Sequence, residues 1–190
     1  LKTLEATLWQ TADSLRANSD MKSSEYSTAV LGLIFLKFAD NKYSSFEDEI
    51  QKEFTSRKGK RTERGIEEIA IEKCGFYLPE ESRYEYLLNL PESEDIAAKI
   101  KQAMEKIEEY KPELNETLPK DDYFRLNRIQ TPDKKTIIDN ALLKKLLKNF
   151  QDIPRDASGD IFGQIYEYFL GNFAMAEGQG GGEFFTPRSV

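Results

Sequence analysis

The sequence predicts a mainly α-helical bundle with at most a small β element. Three observations point to it. Apolar residues recur at three- and four-residue spacing in several separate stretches, the spacing that lines one face of a helix. One run, from Ala29 to Phe38, is apolar almost all the way round. The stretches are separated by short breaks rich in proline, glycine, asparagine and aspartate, which punctuate helices.

In chain order, Leu4, Leu8, Ala12 and Leu15 form the first stripe, opposite Glu5, Gln10 and Asp13. Asn18, Ser19 and Asp20 read as a turn, and Ser23 or Ser24 as the cap of the next helix. That helix carries Ala29-Val30-Leu31-Gly32-Leu33-Ile34-Phe35-Leu36-Lys37-Phe38, so it is expected at the centre of the bundle. Phe46, Ile50 and Phe54 keep the stripe going. Ile66, Ile69 and Ala70 predict a short helix that Gly75 ends in the left-handed conformation. Phe76-Tyr77-Leu78-Pro79 is the best candidate for an extended segment, because a residue before proline is pushed away from the helical region.

Ser93 reads as the cap of a helix bearing Ile96, Ile100, Ala103, Met104 and Ile107 and ending before Pro112. The polar stretch 112–132 is read as irregular, packing through Leu114, Leu118, Tyr123 and Phe124. Asp133 is expected to open a helix with Ile137, Ile138, Leu142, Leu146 and Phe150 facing inward. Its lysines 144, 145 and 148 lie near the C-terminal end, where the helix dipole favours cations. After a break over 152–159, the last helix runs from Asp160 to about Phe173. It is aromatic on more than one side, through Phe162, Tyr166, Phe169 and Phe173, and so wants a partner surface.

Composition narrows the functions. With 39% hydrophobic and 32% charged residues the chain looks like a soluble globular protein. It has no apolar run long enough to span a membrane and no signal-peptide layout, so a cytoplasmic location is the default. There is one cysteine, Cys74, and no histidine. Disulfide frameworks, Cys/His zinc sites and imidazole catalysis are therefore excluded within these residues, and no metal is expected. Cys74 reads as a small buried hydrophobe, Trp9 and the Phe35/Phe38 pair as core, and Glu80-Glu81 and Asp121-Asp122 as surface charge.

A net charge of −7 is awkward for an autonomous nucleic-acid binder, whose affinity comes from lysines and arginines neutralising phosphates. The one concentrated basic stretch is Arg57, Lys58, Lys60, Arg61 and Arg64, around Gly59. It reads either as a solvated connection between helices or as a phosphate-contacting loop.

Gly178-Gln179-Gly180-Gly181-Gly182 marks a flexible loop or domain boundary. In the following Glu183, Phe184, Phe185, Thr186, Pro187 and Arg188, Thr186 fits a helix N-cap and Pro187 the first helical position. A mobile glycine loop, two adjacent phenylalanines and a helix N-terminus together suit an adenosyl ligand, whose purine packs on an aromatic ring while its amino-acid end meets backbone donors. These six residues resemble the Gly-Glu-Phe/Tyr-Phe/Tyr-Thr-Pro-Arg signature of the modification subunits of type I restriction-modification systems. Stretches 8–16, 26–38, 78–83 and 163–168 are similar to segments in the same order in that family's N-terminal domain.

The resemblance implies a helical domain over 1–174, then, over 175–190, a glycine-rich linker and the first residues of an α/β methyltransferase domain. It implies that the intact subunit methylates N6 of adenine in DNA with S-adenosylmethionine, and that residues 183–188 form the first cofactor-contacting segment. It also implies a specificity subunit, a second modification subunit and a restriction subunit as partners, with double-stranded DNA held in the assembly. The helical domain would then serve assembly and closure around the duplex, its terminal helix burying against the methyltransferase domain. An Asn-Pro-Pro motif that would receive the flipped adenine is impossible here, because the seven prolines are all isolated from one another. No catalytic residue is therefore expected in these 190, and they should not methylate by themselves. The competing reading is a free-standing helical interaction or regulatory module whose glycine-rich tail is only a linker.

Overall fold

A computed structural model describes residues 2–17, 23–154 and 159–176. Among them are eight α-helices and one two-stranded antiparallel sheet. Helix α1 spans Lys2–Ala17 and buries Leu8 and Ala12 of its predicted stripe. Helix α2 runs unbroken over Ser23–Arg57, about 52 Å at 1.5 Å per residue. The expected turn at 18–20 lies outside the described residues.

The middle of α2 is the axis of the core. Residues 29–36 are buried except that Gly32 presents backbone rather than side chain, and α2 packs against the helices that follow as well as α1. Gly32 is where the chain comes closest: a methyl group there would overlap the Tyr123 hydroxyl and sit 2.7 Å from the Pro119 ring. That hydroxyl donates to the Ala29 carbonyl at 2.9 Å, so one tyrosine fills the space glycine leaves. Past residue 43, α2 runs beside α3, Ile66–Cys74. As predicted, α3 ends at Gly75, with φ 99° and its N–H on the Ile71 carbonyl at 2.9 Å.

Residues 76–79 form no strand. They run as an open connection that buries Phe76 and Leu78, because no neighbouring chain offers a ladder to pair with. A 3-10 turn at Glu80–Ser82 and helix α4, Tyr84–Leu88, lead to α5, Ile96–Tyr110. The cap of α5 is Asp95 rather than Ser93: its carboxylate accepts from the Ala98 N–H at 3.4 Å. Helix α6 is a single turn, Phe124–Asn127. The stretch before it packs through buried Leu114, Leu118 and Tyr123.

Residues 133–140 are not helical. Strands β1, Arg128–Gln130, and β2, Thr136–Ile138, pair in a hairpin with Ile129 opposite Ile137. Thr131 and Lys135 close the turn by a backbone bond of 2.8 Å, with Lys134 at φ 64°. The β-branched run Thr136-Ile137-Ile138 and a Pro-Asp turn favour this. Ile137 and Ile138 are half exposed instead of facing the core. Helix α7 starts at Ala141–Gln151 and buries Leu143, Leu146, Leu147 and Phe150.

The hairpin's root is a polar lock. Buried Asn140 accepts from Asn127 at 3.0 Å and donates to the Glu94 carbonyl at 2.7 Å, while Asn127 donates to Asp95 at 2.8 Å. Arg128 meets both Asp95 oxygens, at 3.1 and 2.7 Å. The Arg128 hydrogen bond, against the opposing pull of desolvation, brings Asp95 down to about 2. A depressed carboxyl stabilises the fold above its unfolded pKa and loses that contribution as pH falls through its folded value. Asp95→Asn should therefore melt at a lower temperature than wild type at pH 7, with the gap closing between about pH 4 and 2. A gap independent of pH would show that the carboxylate charge does not hold the root.

Helix α8, Gly159–Ala176, packs on α1 and α2. Three of its aromatic residues, Tyr166, Phe169 and Phe173, are buried within this chain. Trp9 meets Phe173 edge-on at 4.9 Å and Phe169 at 5.4 Å, and Phe150 meets Phe169 at 5.7 Å.

Candidate functional site

The predicted basic stretch follows the end of α2. Gly59 turns the chain with φ 76°, its N–H bound by the Glu63 carboxylate at 2.7 Å. The five cations do not form one field. Arg57 pairs with Glu53 at 2.8 Å, and Arg64 with Glu68 at 3.5 Å and with Glu72. The Arg64 hydrogen bond holds the Glu72 carboxyl below its ordinary range. Lys58, Lys60 and Arg61 stand exposed, with no ion pair among the described residues. Three cations, not five, are thus left to meet an anion.

A second polar centre was not singled out from the sequence. Arg83 lies across α2, with Nε on Asp40 at 2.7 Å, one Nη on Glu47 at 2.9 Å and the other on Ser44 at 2.8 Å. Its guanidinium also stands 5.2 Å from the Tyr43 ring. Asp40 is buried and accepts from the Tyr84 N–H at 3.2 Å. Burial opposes the Arg83 charge, but the hydrogen bonds of Glu47 and Asp40 outweigh it and raise its pKa further. By engaging Asp40, Ser44 and Glu47 on α2 together, Arg83 fastens the 80–88 segment to the core. The sequence signal was present: Lys37, Asp40, Ser44 and Glu47 form a polar stripe at three- and four-residue spacing on an otherwise apolar helix.

Cys74 is buried, and burial pushes its thiol pKa up, so it is not an activated nucleophile. Glu80 and Asp121 are exposed, Glu81 and Asp122 half-buried, and desolvation raises the Asp122 carboxyl. Trp9 and Phe38 pack on the core as partly buried residues, and Phe35 is fully buried. Among the described residues there is no group of three or more side chains suited to hold a metal, and no helix is long and apolar enough to cross a membrane. The predicted cofactor segment, residues 183–188, lies outside the described residues.

Helical architecture and a capped bundle core admit many functions, and comparison with known proteins decides the family. The family model of the HsdM N-terminal domain matches residues 4–150. The chain belongs to this family. A second model, N-6 DNA methylase, matches residues 157–190. The HsdM-type chain is 33% identical to the type I restriction enzyme MjaIX methylase subunit of Methanocaldococcus jannaschii, over 98% of its own length and 33% of the relative's. It is 24% identical to the MpnII methylase subunit of Mycoplasma pneumoniae, over 98% of its length and 38% of that protein's. A segment of 31 residues is 58% identical to the HindI methylase subunit of Haemophilus influenzae, covering 16% of this chain and 7% of the relative. The chain thus spans about a third of the curated relatives that it matches along its whole length. A free-standing module with a bare linker at its end is not what these matches support, because the glycine-rich stretch falls within a methylase family model.

Proposed function

We propose that this chain is the amino-terminal part of a cytoplasmic type I modification subunit which, when intact, methylates N6 of adenine in double-stranded DNA. S-adenosylmethionine supplies the methyl group. Residues 1–174 form the helical domain, for assembly with the specificity subunit, a second modification subunit and a restriction subunit and for closure around the duplex; residues 175–190 open the methyltransferase domain. The observation that carries this reading is the order of the two family matches, the HsdM N-terminal domain over 4–150 and N-6 DNA methylase over 157–190.

In this reading Phe184 and Phe185 offer aromatic faces to the purine of the cofactor. The Thr186-Pro187 pattern suits a helix start whose free N–H groups would meet the cofactor's carboxylate, with Glu183 and Arg188 beside it in sequence. The test uses the intact subunit with its specificity partner, labelled methyl donor and duplex DNA. Label should appear on adenine N6, and Phe185→Ala with Thr186→Val should reduce cofactor affinity by tenfold or more, about 1.4 kcal/mol. Label on cytosine, or cofactor affinity unmoved by both changes, would overturn the reading.

The basic loop enters as a duplex contact through Lys58, Lys60 and Arg61, with Arg57 and Arg64 held by their carboxylates. Serine at the first three positions should lower the slope of log affinity against log salt by about 2 to 3 in the assembled complex, since each phosphate neutralised contributes about 0.9. Serine at Arg57 and Arg64 should change it by less than one. Equal losses from both sets would show that the ion pairs open on DNA.

A further inference from the structure

One edge of the hairpin formed by β1 and β2 carries free backbone groups. Ile129 stands opposite Ile137 in the ladder. Just outside the strands, the Thr131 N–H reaches the Lys135 carbonyl and the Asp139 N–H the Asn127 carbonyl, both at 2.8 Å. Bonded and non-bonded pairs alternate along an antiparallel ladder. Ile129 and Ile137 therefore bond each other, while the N–H and C=O groups of Arg128, Gln130, Thr136 and Ile138 point outward. On β1 the Arg128 N–H is taken by the Phe124 carbonyl. On β2 the outward groups of Thr136 and Ile138 have no hydrogen-bond partner among the described residues.

The side chains along β2 define what this edge can take. Ile137 is 47% exposed and Ile138 51%, on opposite faces of the ribbon, with Ile129 at 43% beside Ile137. Lys134 and Lys135, just before the strand, are exposed with no ion pair among the described residues, and Asp133 is engaged by the Thr131 hydroxyl. The edge is thus apolar at one end and cationic at the other. Duplex DNA suits it less well than protein, because protein–DNA interfaces are more polar and far more basic. Arg128, the remaining cation of the hairpin, is paired with Asp95. Buried Asn127 and Asn140 hold the base rigid, so an incoming chain would meet a template already in shape. A two-stranded hairpin is marginal alone, and a third strand is what such a ribbon lacks.

We infer that the outer edge of β2 receives an extended segment of a partner protein as a third, antiparallel strand. The segment is apolar where it passes Ile137 and Ile138 and acidic where it passes Lys134 and Lys135. Its backbone bonds the outward groups of Thr136 and Ile138 and supplies affinity, while the side chains set register and choice of partner. The inference stands apart from the methyltransferase reading, because the chain and a synthetic peptide are enough to test it.

The probe is the peptide acetyl-Thr-Ile-Val-Thr-Glu-Glu-amide, written to lie antiparallel to β2 with its glutamates beside the two lysines. In amide hydrogen exchange of the isotope-labelled 190-residue chain, saturating peptide should slow the Thr136 and Ile138 amides about tenfold or more. The Ile137 amide, bonded already within the hairpin, should change little. Methylating the peptide nitrogens of isoleucine and the second threonine, which face the edge, should remove the effect. Lys134→Glu with Lys135→Glu should lose the protection, and a peptide ending in Lys-Lys should restore it on that variant alone, which a misfolded protein could not do. Peptide that leaves the two amides unchanged up to its solubility limit, or that protects equally well when methylated, overturns the inference. Protection that grows with the concentration of the chain alone gives the edge to a second copy, and protection by a DNA duplex but not by peptide gives it to DNA; either result overturns the inference as well.

Discussion

Phe169→Ala should cost the chain about 3 to 5 kcal/mol, the usual range for removing a fully buried phenylalanine. For a domain of this size that is a fall in melting temperature of roughly 10 °C. Phe169 is the hub of the contact between α8 and the rest of the bundle, touching Trp9, Phe150 and Phe173. Trp9 is the only tryptophan, so its fluorescence reports this one junction. Loss of the ring should shift Trp9 emission to longer wavelength before the rest of the bundle melts, because α8 joins the fold through its aromatic face. Phe169→Leu should recover most of the loss, and Met175→Ala, at an 82% exposed site, should change nothing. Emission that shifts only together with global unfolding would mean α8 and the bundle are one cooperative unit, and an unchanged melting temperature would mean that α8 is not fastened through Phe169.

The consequence reaches beyond stability. Helix α8 lies within residues 157–190, which match the N-6 DNA methylase model, so in the proposed reading its docking sets how the methyltransferase part joins the helical domain. A variant with α8 loosened should then keep its specificity partner but lose methyl transfer.

Much of this was legible in the sequence because helical period leaves a direct mark. The stripes of α1, α5 and α8, the apolar run of α2 and the glycine stop of α3 were all readable in one dimension. The hairpin was not, for a physical reason. Two adjacent isoleucines, Ile137 and Ile138, satisfy a helical stripe with Leu142 and Leu146 as well as they satisfy a strand. What decides is the turn chemistry of Thr131 to Lys135 and the partner strand, which sets Ile129 opposite Ile137 and Arg128 opposite Ile138. The cap of α5 failed similarly: Ser93 and Asp95 are both good caps, and the choice depends on Arg128 and Asn127 arriving from elsewhere. In the basic loop the cations were legible and so, in hindsight, were two of their partners, since Glu53 and Glu68 stand four residues from Arg57 and Arg64.

Arg83 shows the limit more sharply, and it yields the other large effect. Arg83→Ala should destabilise the chain by about 2 to 4 kcal/mol, below the range for a wholly buried pair because its side chain is 20% exposed. The loss is less that of a favourable attraction than the stranding of Asp40. Its side chain is 5% exposed and keeps the Tyr84 N–H as its remaining hydrogen-bond donor. Lysine should not substitute: it offers one point charge where the guanidinium reaches Asp40, Ser44 and Glu47 at once. Removing the stranded charge as well should help, so Asp40→Asn in the Arg83→Ala background should regain part of the stability, although Asp40→Asn alone destabilises. Denaturant melts of the four proteins give the coupling between the two residues. Additive losses would mean that Arg83 acts through Tyr43 and Glu47 rather than Asp40. A coupling of 1 kcal/mol or more, in the range found for contacting residues in one network, would place the Asp40 pair at the centre of the junction that fastens residues 80–88 to the long central helix.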